Sequence, residues 1–156
     1  MAVTLSATSE LVAVAWVGSI ESLTASGVGT QLPADETTWA AGGYVVVPVT
    51  VGGTPHPVIP LQRPVCQVEC WATNAGSDKL PWGKAANLAE QIRMATYDRT
   101  GAYGRPLTLG PGYPAARVKS AVILTQPRRV WSDAGDYAGF LFDLALQFVA
   151  AGEVVQ

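Results

Sequence analysis

The sequence predicts a small α+β domain in which four mainly antiparallel strands form one sheet and two helices pack on one of its faces. Three patterns lead to this prediction. Residues 64–72 alternate in polarity as a half-buried strand does. An apolar stripe with helical spacing follows Pro81, where a helix can begin. Aromatic and aliphatic residues alternate over 140–148, which favours a closing strand. Long Gly- and Pro-rich loops are expected to join these elements.

The stretch from Arg63 to Thr100 is expected to organise the fold as a strand, a turn at 74–78 and a helix. The side chains predicted to face inward from the strand are Cys66, Val68, Cys70 and Ala72. The apolar stripe of the helix consists of Ala85, Leu88, Ala89, Ile92, Ala95 and Thr96.

The other elements follow from the same periods. A first helix is expected from Thr8 or Ser9 to Leu23. A strand is expected over 44–51, at a sheet edge because Pro48 lacks an amide hydrogen. A third strand is expected over 117–125. Its predicted faces are Val118, Val122 and Leu124 on one side, and Ala121 and Ile123 on the other. The inward side chains of the last strand are expected to be Phe140, Phe142, Leu144, Leu146 and Phe148.

Residues 24–43 show no periodicity, and a structureless stretch of this length typically forms a binding loop or an arm. Trp39 lies alone in it. Its side chain can anchor the loop to the core or to a neighbouring subunit, and the core is the favoured choice. The other predicted loops are 52–62, 101–116 and 126–136.

With 156 residues, the chain is expected to form one domain over 1–156. Only 14% of the residues are charged, compared with about 25% in typical soluble proteins. A surface covered by neighbouring subunits and a large core with Gly/Pro loops explain this equally well. Residues 1–62 contain four acids and no Lys or Arg, for a charge of −4, whereas residues 63–156 hold ten bases and eight acids, for +2. Such polarity suits head-to-tail assembly, although chance would also produce it.

The two cysteines lie four residues apart on the predicted strand, about 13 Å, which is too far for a disulfide. They are expected to be buried free thiols, as in a reducing cytoplasm. The first 30 residues have no basic segment typical of a signal peptide, and no apolar run is long enough to cross a membrane. The protein is therefore expected to be soluble and intracellular when made.

No catalytic, cofactor-binding or metal-binding site is expected, so the chain is predicted not to be an enzyme. His56 is the sole histidine, which disfavours a zinc site or a Ser-His-Asp site. Arg128 and Arg129 beside Trp131 could contact a nucleic-acid backbone, but two arginines are a weak signal. A solvated hairpin tip or a subunit contact is favoured there.

The chain resembles the tail terminator proteins of long-tailed bacteriophages over about residues 40–150. The resemblance rests on three segments: Arg63–Ala72 (RPVCQVECWA), Pro81–Arg93 (PWGKAANLAEQIR) and the aromatic strand Tyr137–Phe148. The long neutral segment 24–43 departs from the compact pattern of that family.

The resemblance implies a non-enzymatic virion protein that forms a ring, expected to be a hexamer, at the head-proximal end of the tail tube. Such a ring ends tube polymerisation and joins the tail to the head. The implied partners are other copies of the chain, the tail tube protein and a head-completion protein, while DNA only passes through the lumen and no membrane is involved. Assembly would occur in the host cytoplasm. The residues expected at interfaces are Trp39, Tyr113, Arg128, Arg129 and Trp131.

Two other functions remain open. The chain could be another head–tail connector, head-completion or tail-tube subunit. It could also be a small ligand-binding or enzymatic α+β domain with a pocket between sheet and helices. Few polar residues stand at inward positions, which disfavours this last possibility, because ligand sites need convergent polar groups.

Overall fold

The computed structural model describes residues 6–23, 27–74, 79–99, 101, 103–131 and 136–150. The turn expected at 74–78, and the loop segments 24–26 and 132–135, lie largely outside these residues. The two helices of the described chain are α1 (Ser9–Gly18) and α2 (Trp82–Ala95). The strands are β1 (Gly27–Gly29), β2 (Tyr44–Val46), β3 (Thr50–Gly53), β4 (Leu61–Gln62), β5 (Pro64–Ala72), β6 (Pro106–Leu107), β7 (Ala116–Ile123), β8 (Arg128–Trp131) and β9 (Ala138–Ala150).

The prediction of a four-stranded sheet is wrong. The described residues form one mixed sheet of nine strands, with the order β1-β2-β5-β9-β7-β6 across it. The β1–β2 pair is parallel, and the other strand pairs are antiparallel. Helix α1 contacts both β1 and β6, which are at opposite ends of this order. The sheet therefore curves into a half-barrel around the helices.

Interruptions within longer strands account for much of the difference between the four strands predicted and the nine observed. Strands β2 and β3 pair with the same side of β5, and Pro48, which has no amide hydrogen, lies between them. In the same way, β4 and β5 share one side of β9, and β7 and β8 share the other. The expected loop at 126–136 thus contains β8. Strands β1 and β6 add short pairings from the segments 24–43 and 101–116, which were also expected to be loops.

The predicted faces of the strand over 117–125 are wrong as well. The register between β7 and β9 shifts between Val118 and Ser120, as it does at a β-bulge. The shift turns Ala121 into the core together with Val118, whereas Val122 and Leu124 are exposed. An inserted residue reverses the alternation of every side chain that follows it.

The core lies between the helices and one face of the sheet, as the sequence predicts. Strand β5 alternates strictly between buried and half-buried residues along its whole length. Cys66 and Cys70 are buried free thiols on this face. The fully buried residues of β9 on the same face include Phe142, Leu144, Leu146 and Phe148. The helices cover them with Val12, Ala13, Trp16, Val17, Ala85, Leu88, Ala89 and Ile92.

Helix α1 begins as expected and ends earlier. The Thr8 hydroxyl oxygen accepts a hydrogen bond from the amide of Leu11 at 3.4 Å, which caps the helix. The helix ends at Gly18, and a separate 3₁₀ turn follows at 21–23. The Glu10 carboxylate accepts a hydrogen bond from the Thr50 amide at 2.9 Å and so joins α1 to β3. In the described part of the chain, no helix has the length and apolar character needed to span a membrane.

Candidate interaction surface

Strand β8 is a free edge of the sheet and carries three of the predicted interface residues. It pairs with β9 on one side, and no strand within the described residues pairs with its other side. Arg129 lies opposite Phe140, and Trp131 lies opposite Ala138, on the helix-covered side of the sheet. Arg128 lies opposite Leu141 and faces the other way. All three side chains are exposed, and Trp131 retains 62% of its accessible surface.

An aromatic contact with the start of α2 holds part of this edge in place. The rings of Trp82 and Trp131 meet edge to face with their centroids 5.3 Å apart, and the ring of Phe140 is 6.2 Å from that of Trp82. The Arg129 guanidinium lies 4.8 Å from the centre of the Trp82 ring, within range of a cation–π interaction. Trp82 was not expected at an interface. Its position beside β8 depends on the pairing of β8 with β9, which the sequence pattern does not indicate.

A groove of about 400 Å³ lies between the end of α2 and the end of β7. Its lining includes Arg93, Thr96, Tyr97 and Arg99 from the helix side and residues 121–126 from the strand side. Arg93 forms a salt bridge with Glu90 and lies 5.7 Å from the Tyr97 ring centre. The exposed residues near this edge lie on different sides of the sheet. Val122, Leu124 and Arg128 lie on the outer face, whereas Arg129 and Trp131 lie on the helix-covered side. We call Arg129 and Trp131 the edge surface.

A second exposed apolar surface lies on the β3–β4 hairpin. We call it the hairpin surface, and it comprises Val49, Val51, Val58 and Ile59. The turn is ordered by its own hydrogen bonds. His56 Nδ1 accepts from the amides of Val58 and Ile59, both at 3.1 Å. The His56 amide donates to the Leu61 carbonyl at 2.8 Å. These bonds hold Val58 outward at the tip, where its side chain is 85% exposed.

Trp39 and Tyr113 lie elsewhere. Trp39 is only 3% exposed and packs edge to face against Tyr44 and Tyr137, while its Nε1 donates to the Pro33 carbonyl at 3.3 Å. It anchors its own loop, as the favoured sequence interpretation states. Tyr113 is half exposed in the connection between β6 and β7. The structure thus places Arg128, Arg129 and Trp131 on one strand, but only Arg129 and Trp131 share a side of the sheet, where both contact Trp82.

The two cysteines are poorly suited to nucleophilic chemistry. Burial raises the pKa of the Cys66 thiol to about 11, although the Thr50 hydroxyl lies 4.0 Å from its sulfur. Burial, with a smaller effect of Glu69, also raises the pKa of Cys70. A thiol that keeps its proton is a weak nucleophile and a weak metal ligand. Within the described ranges, no group of three or more His, Cys, Asp and Glu side chains could hold a metal ion.

Comparison with known proteins indicates the fold and does not assign a family. No family model matches the sequence, and no curated protein matches it. Among solved structures, the fold is similar to a chain from the virion of a native gene transfer agent particle, with a TM-score of 0.50. The two chains share 14% sequence identity, and the match covers 83% of this chain and 84% of that one. The similarity is therefore one of fold over most of both chains.

Proposed function

We propose that this protein is a structural subunit of a phage-like virion. The observation that carries the proposal is the fold shared over most of its length with a chain of a gene transfer agent virion. The exposed apolar surfaces add to it, because contiguous exposed apolar residues typically mark contacts with other proteins.

Within the virion, we propose the role of a tail terminator. In this role, copies of the chain form a ring, proposed as a hexamer, at the head-proximal end of the tail tube. The ring stops tube polymerisation and presents the surface that joins the head. Support for this finer assignment comes from the sequence resemblance over about residues 40–150 and from the unlike charges of the two parts of the chain. The partners are then the tail tube protein and a head-completion protein.

A second candidate is a head-completion or tail-tube subunit. The similar structure fits this candidate as well, because that chain is a component of a virion particle. Ligand binding is the weaker alternative. The groove of about 400 Å³ is an open surface feature beside α2 and does not lie in the core between helices and sheet.

Deletion of the gene tests both virion roles in one experiment. Particles from a phage or prophage that lacks the protein are examined by electron microscopy, with a plasmid copy of the gene as the control. We expect filled heads without tails, together with tail tubes that are overlong or irregular in length. Unattached tails of uniform, normal length would refute the terminator role and favour head completion. Normal infectious particles would refute both.

A further inference from the structure

We propose that the segment 151–156 of one copy of this chain adds a strand to the free edge of β8 in a second copy, so that identical subunits associate head to tail. The inference rests on the proposed ring and names a contact that builds it. The segment directly follows β9 and has the sequence AGEVVQ. It lies outside the described residues, whereas the strand that receives it is described completely.

The outer edge of β8 offers backbone groups for hydrogen bonds. Asp143 turns its backbone toward β7 and β8, because its carbonyl accepts from the amide that follows β7. Every second residue of β9 does the same as far as Gly139, since the register of β9 with β5 has no shift there. Val130 lies opposite Gly139 and therefore bonds to β9. Its neighbours Arg129 and Trp131 turn their amide and carbonyl groups away from β9, toward the open side of β8.

Other edges of the sheet are covered by the chain itself. At β3, the Thr50 amide donates to the Glu10 carboxylate at 2.9 Å. Beside β7, the Ala121 carbonyl accepts from the Tyr103 hydroxyl at 3.2 Å. No strand of the described chain pairs with the outer side of β8. An edge strand that is left open in this way is a site where another chain can add a strand.

The segment 151–156 cannot reach β8 of its own copy. Strand β9 ends at Ala150, whereas Arg129 lies opposite Phe140, ten residues back along β9. Ten residues of extended strand span about 33 Å. The six residues of the segment reach at most about 22 Å when fully extended. The pairing therefore joins two copies of the chain.

The segment matches the edge surface in charge and in apolar character. Glu153 and Val155 lie two positions apart, so that their side chains share one face of a strand. A parallel pairing with Glu153 opposite Arg129 places Val155 opposite Trp131, on the same side of the sheet. The salt bridge found among the described residues does not involve Arg129, whose charge is therefore available to a carboxylate. The adjacent valines, Val154 and Val155, favour the extended conformation.

Each copy gives its segment to one neighbour and receives a segment from the other. The contact is heterologous because it joins two different parts of the chain, and it closes into a ring when the rotation between neighbours allows it. The added strand also covers part of Trp131, whose side chain is 62% exposed without it.

Disulfide crosslinking in assembled particles tests the contact. In the proposed register, Val130 lies opposite Val154 on the outer face, at a spacing of about 4.8 Å that a disulfide can bridge. A chain with Val130→Cys and Val154→Cys is incorporated into particles, oxidised and separated on a non-reducing gel. We expect a ladder of covalent multimers from the double variant and none from either single variant. The native Cys66 and Cys70 are buried and should not contribute.

The matched control pairs Val154→Cys with Val122→Cys, an exposed position on the same outer face but on β7. An equal ladder from the control pair would overturn the proposal. So would dimers from Val130→Cys alone, which would indicate that two β8 edges pair with each other. An intramolecular disulfide in the double variant, or no ladder in particles that contain the ring, would also overturn it.

Exchange of the two charges tests the pair of Glu153 and Arg129. In the double-cysteine chain, Glu153→Lys should lower the yield of multimers several-fold, because it places two positive charges opposite each other. A further Arg129→Glu substitution should restore the yield, since the charges are then exchanged. An unchanged yield with Glu153→Lys, or a loss that Arg129→Glu does not restore, would overturn the proposed pairing.

Failure of the ring and failure of this contact can be told apart. If electron microscopy shows no ring in normal particles, the proposed terminator role fails. A ladder from the double-cysteine chain in such particles would still support the contact between the segment and β8.

Discussion

The helix-covered face of the sheet and its free edges differ in how their apolar residues are arranged. On the covered face, β5 and β9 place an apolar side chain inward at every second position, and these residues pack against α1 and α2. At the edges, β3 and β8 are short, and their exposed residues combine valine or tryptophan with arginine or glycine. The contrast teaches that regular alternation of apolar residues along a strand reflects burial of one strand face within the same chain. Exposed apolar residues on an edge strand have no cover within the described chain, and we propose that another chain covers them.

The largest expected effect comes from breaking the covered face. Phe142→Ala should lower the free energy of unfolding by about 3–5 kcal/mol, because the ring is fully buried and its loss leaves a cavity. Urea titration measures the change. The matched control is Asp143→Ala, whose backbone bonds with Leu124 and Thr125 remain, and it should cost less than about 0.5 kcal/mol. Equal small effects would contradict the assigned faces of β9.

The reactivity of the two cysteine thiols should show that β5 lies on the covered face of the sheet. At pH 8, the native protein should react with iodoacetamide at least about 100-fold more slowly than the urea-unfolded chain, because the pKa of Cys66 is raised from 9.0 to about 11. Mass spectrometry of the alkylated protein measures this. Above pH 9.0 the unfolded chain releases this proton first, so stability should fall as pH rises toward 11. Rapid native alkylation of both cysteines would show that β5 is not covered.

Substitution of a glycine in the hairpin tests whether the backbone at this edge is held in one conformation, as it is in the core. Gly53 has a φ of +95°, and an added Cβ would lie 2.1 Å from the Arg63 carbonyl oxygen. Gly53→Ala should therefore cost about 1–3 kcal/mol in urea unfolding. Gly52→Ala is the control, since its Cβ would meet nothing within 4 Å, and it should change stability by less than about 0.5 kcal/mol. Two neutral substitutions would mean that the hairpin is not held in this conformation.

The smallest effect on stability is expected at Trp131, where the effect on assembly should be large. Trp131→Ala removes one edge-to-face contact with Trp82, worth about 0.5–1.5 kcal/mol. Ring formation in particles, followed by electron microscopy, should be lost. Met94→Ala serves as a control at an exposed residue outside both surfaces. If Trp131→Ala destabilises the fold as much as Phe142→Ala, the side chain belongs to the core and the edge comparison fails.

The sequence by itself determined the helix and the strands that are long enough to show a period in their apolar residues. Strand β5, helix α2 and the inward residues of β9 were predictable because each of these elements spans nine or more residues and buries one face. Burial of Cys66, Cys70 and Phe142 follows from that period. The sequence also indicated that Arg128, Arg129 and Trp131 belong together, simply because they lie close along the chain.

Only the tertiary structure decided the width of the sheet and the position of its free edges. Strands β1, β4 and β6 contain two or three residues each, too few for a period, and they exist because a neighbouring strand offers hydrogen bonds. Where β7 pairs with β9, the bulge turned the side chains of Val122 and Leu124 to the exposed face of the sheet. The pairing of β8 with β9 placed Arg129 over Trp82, far away in sequence. Local patterns therefore specify which residues this chain buries, whereas long-range pairing specifies which residues it leaves exposed.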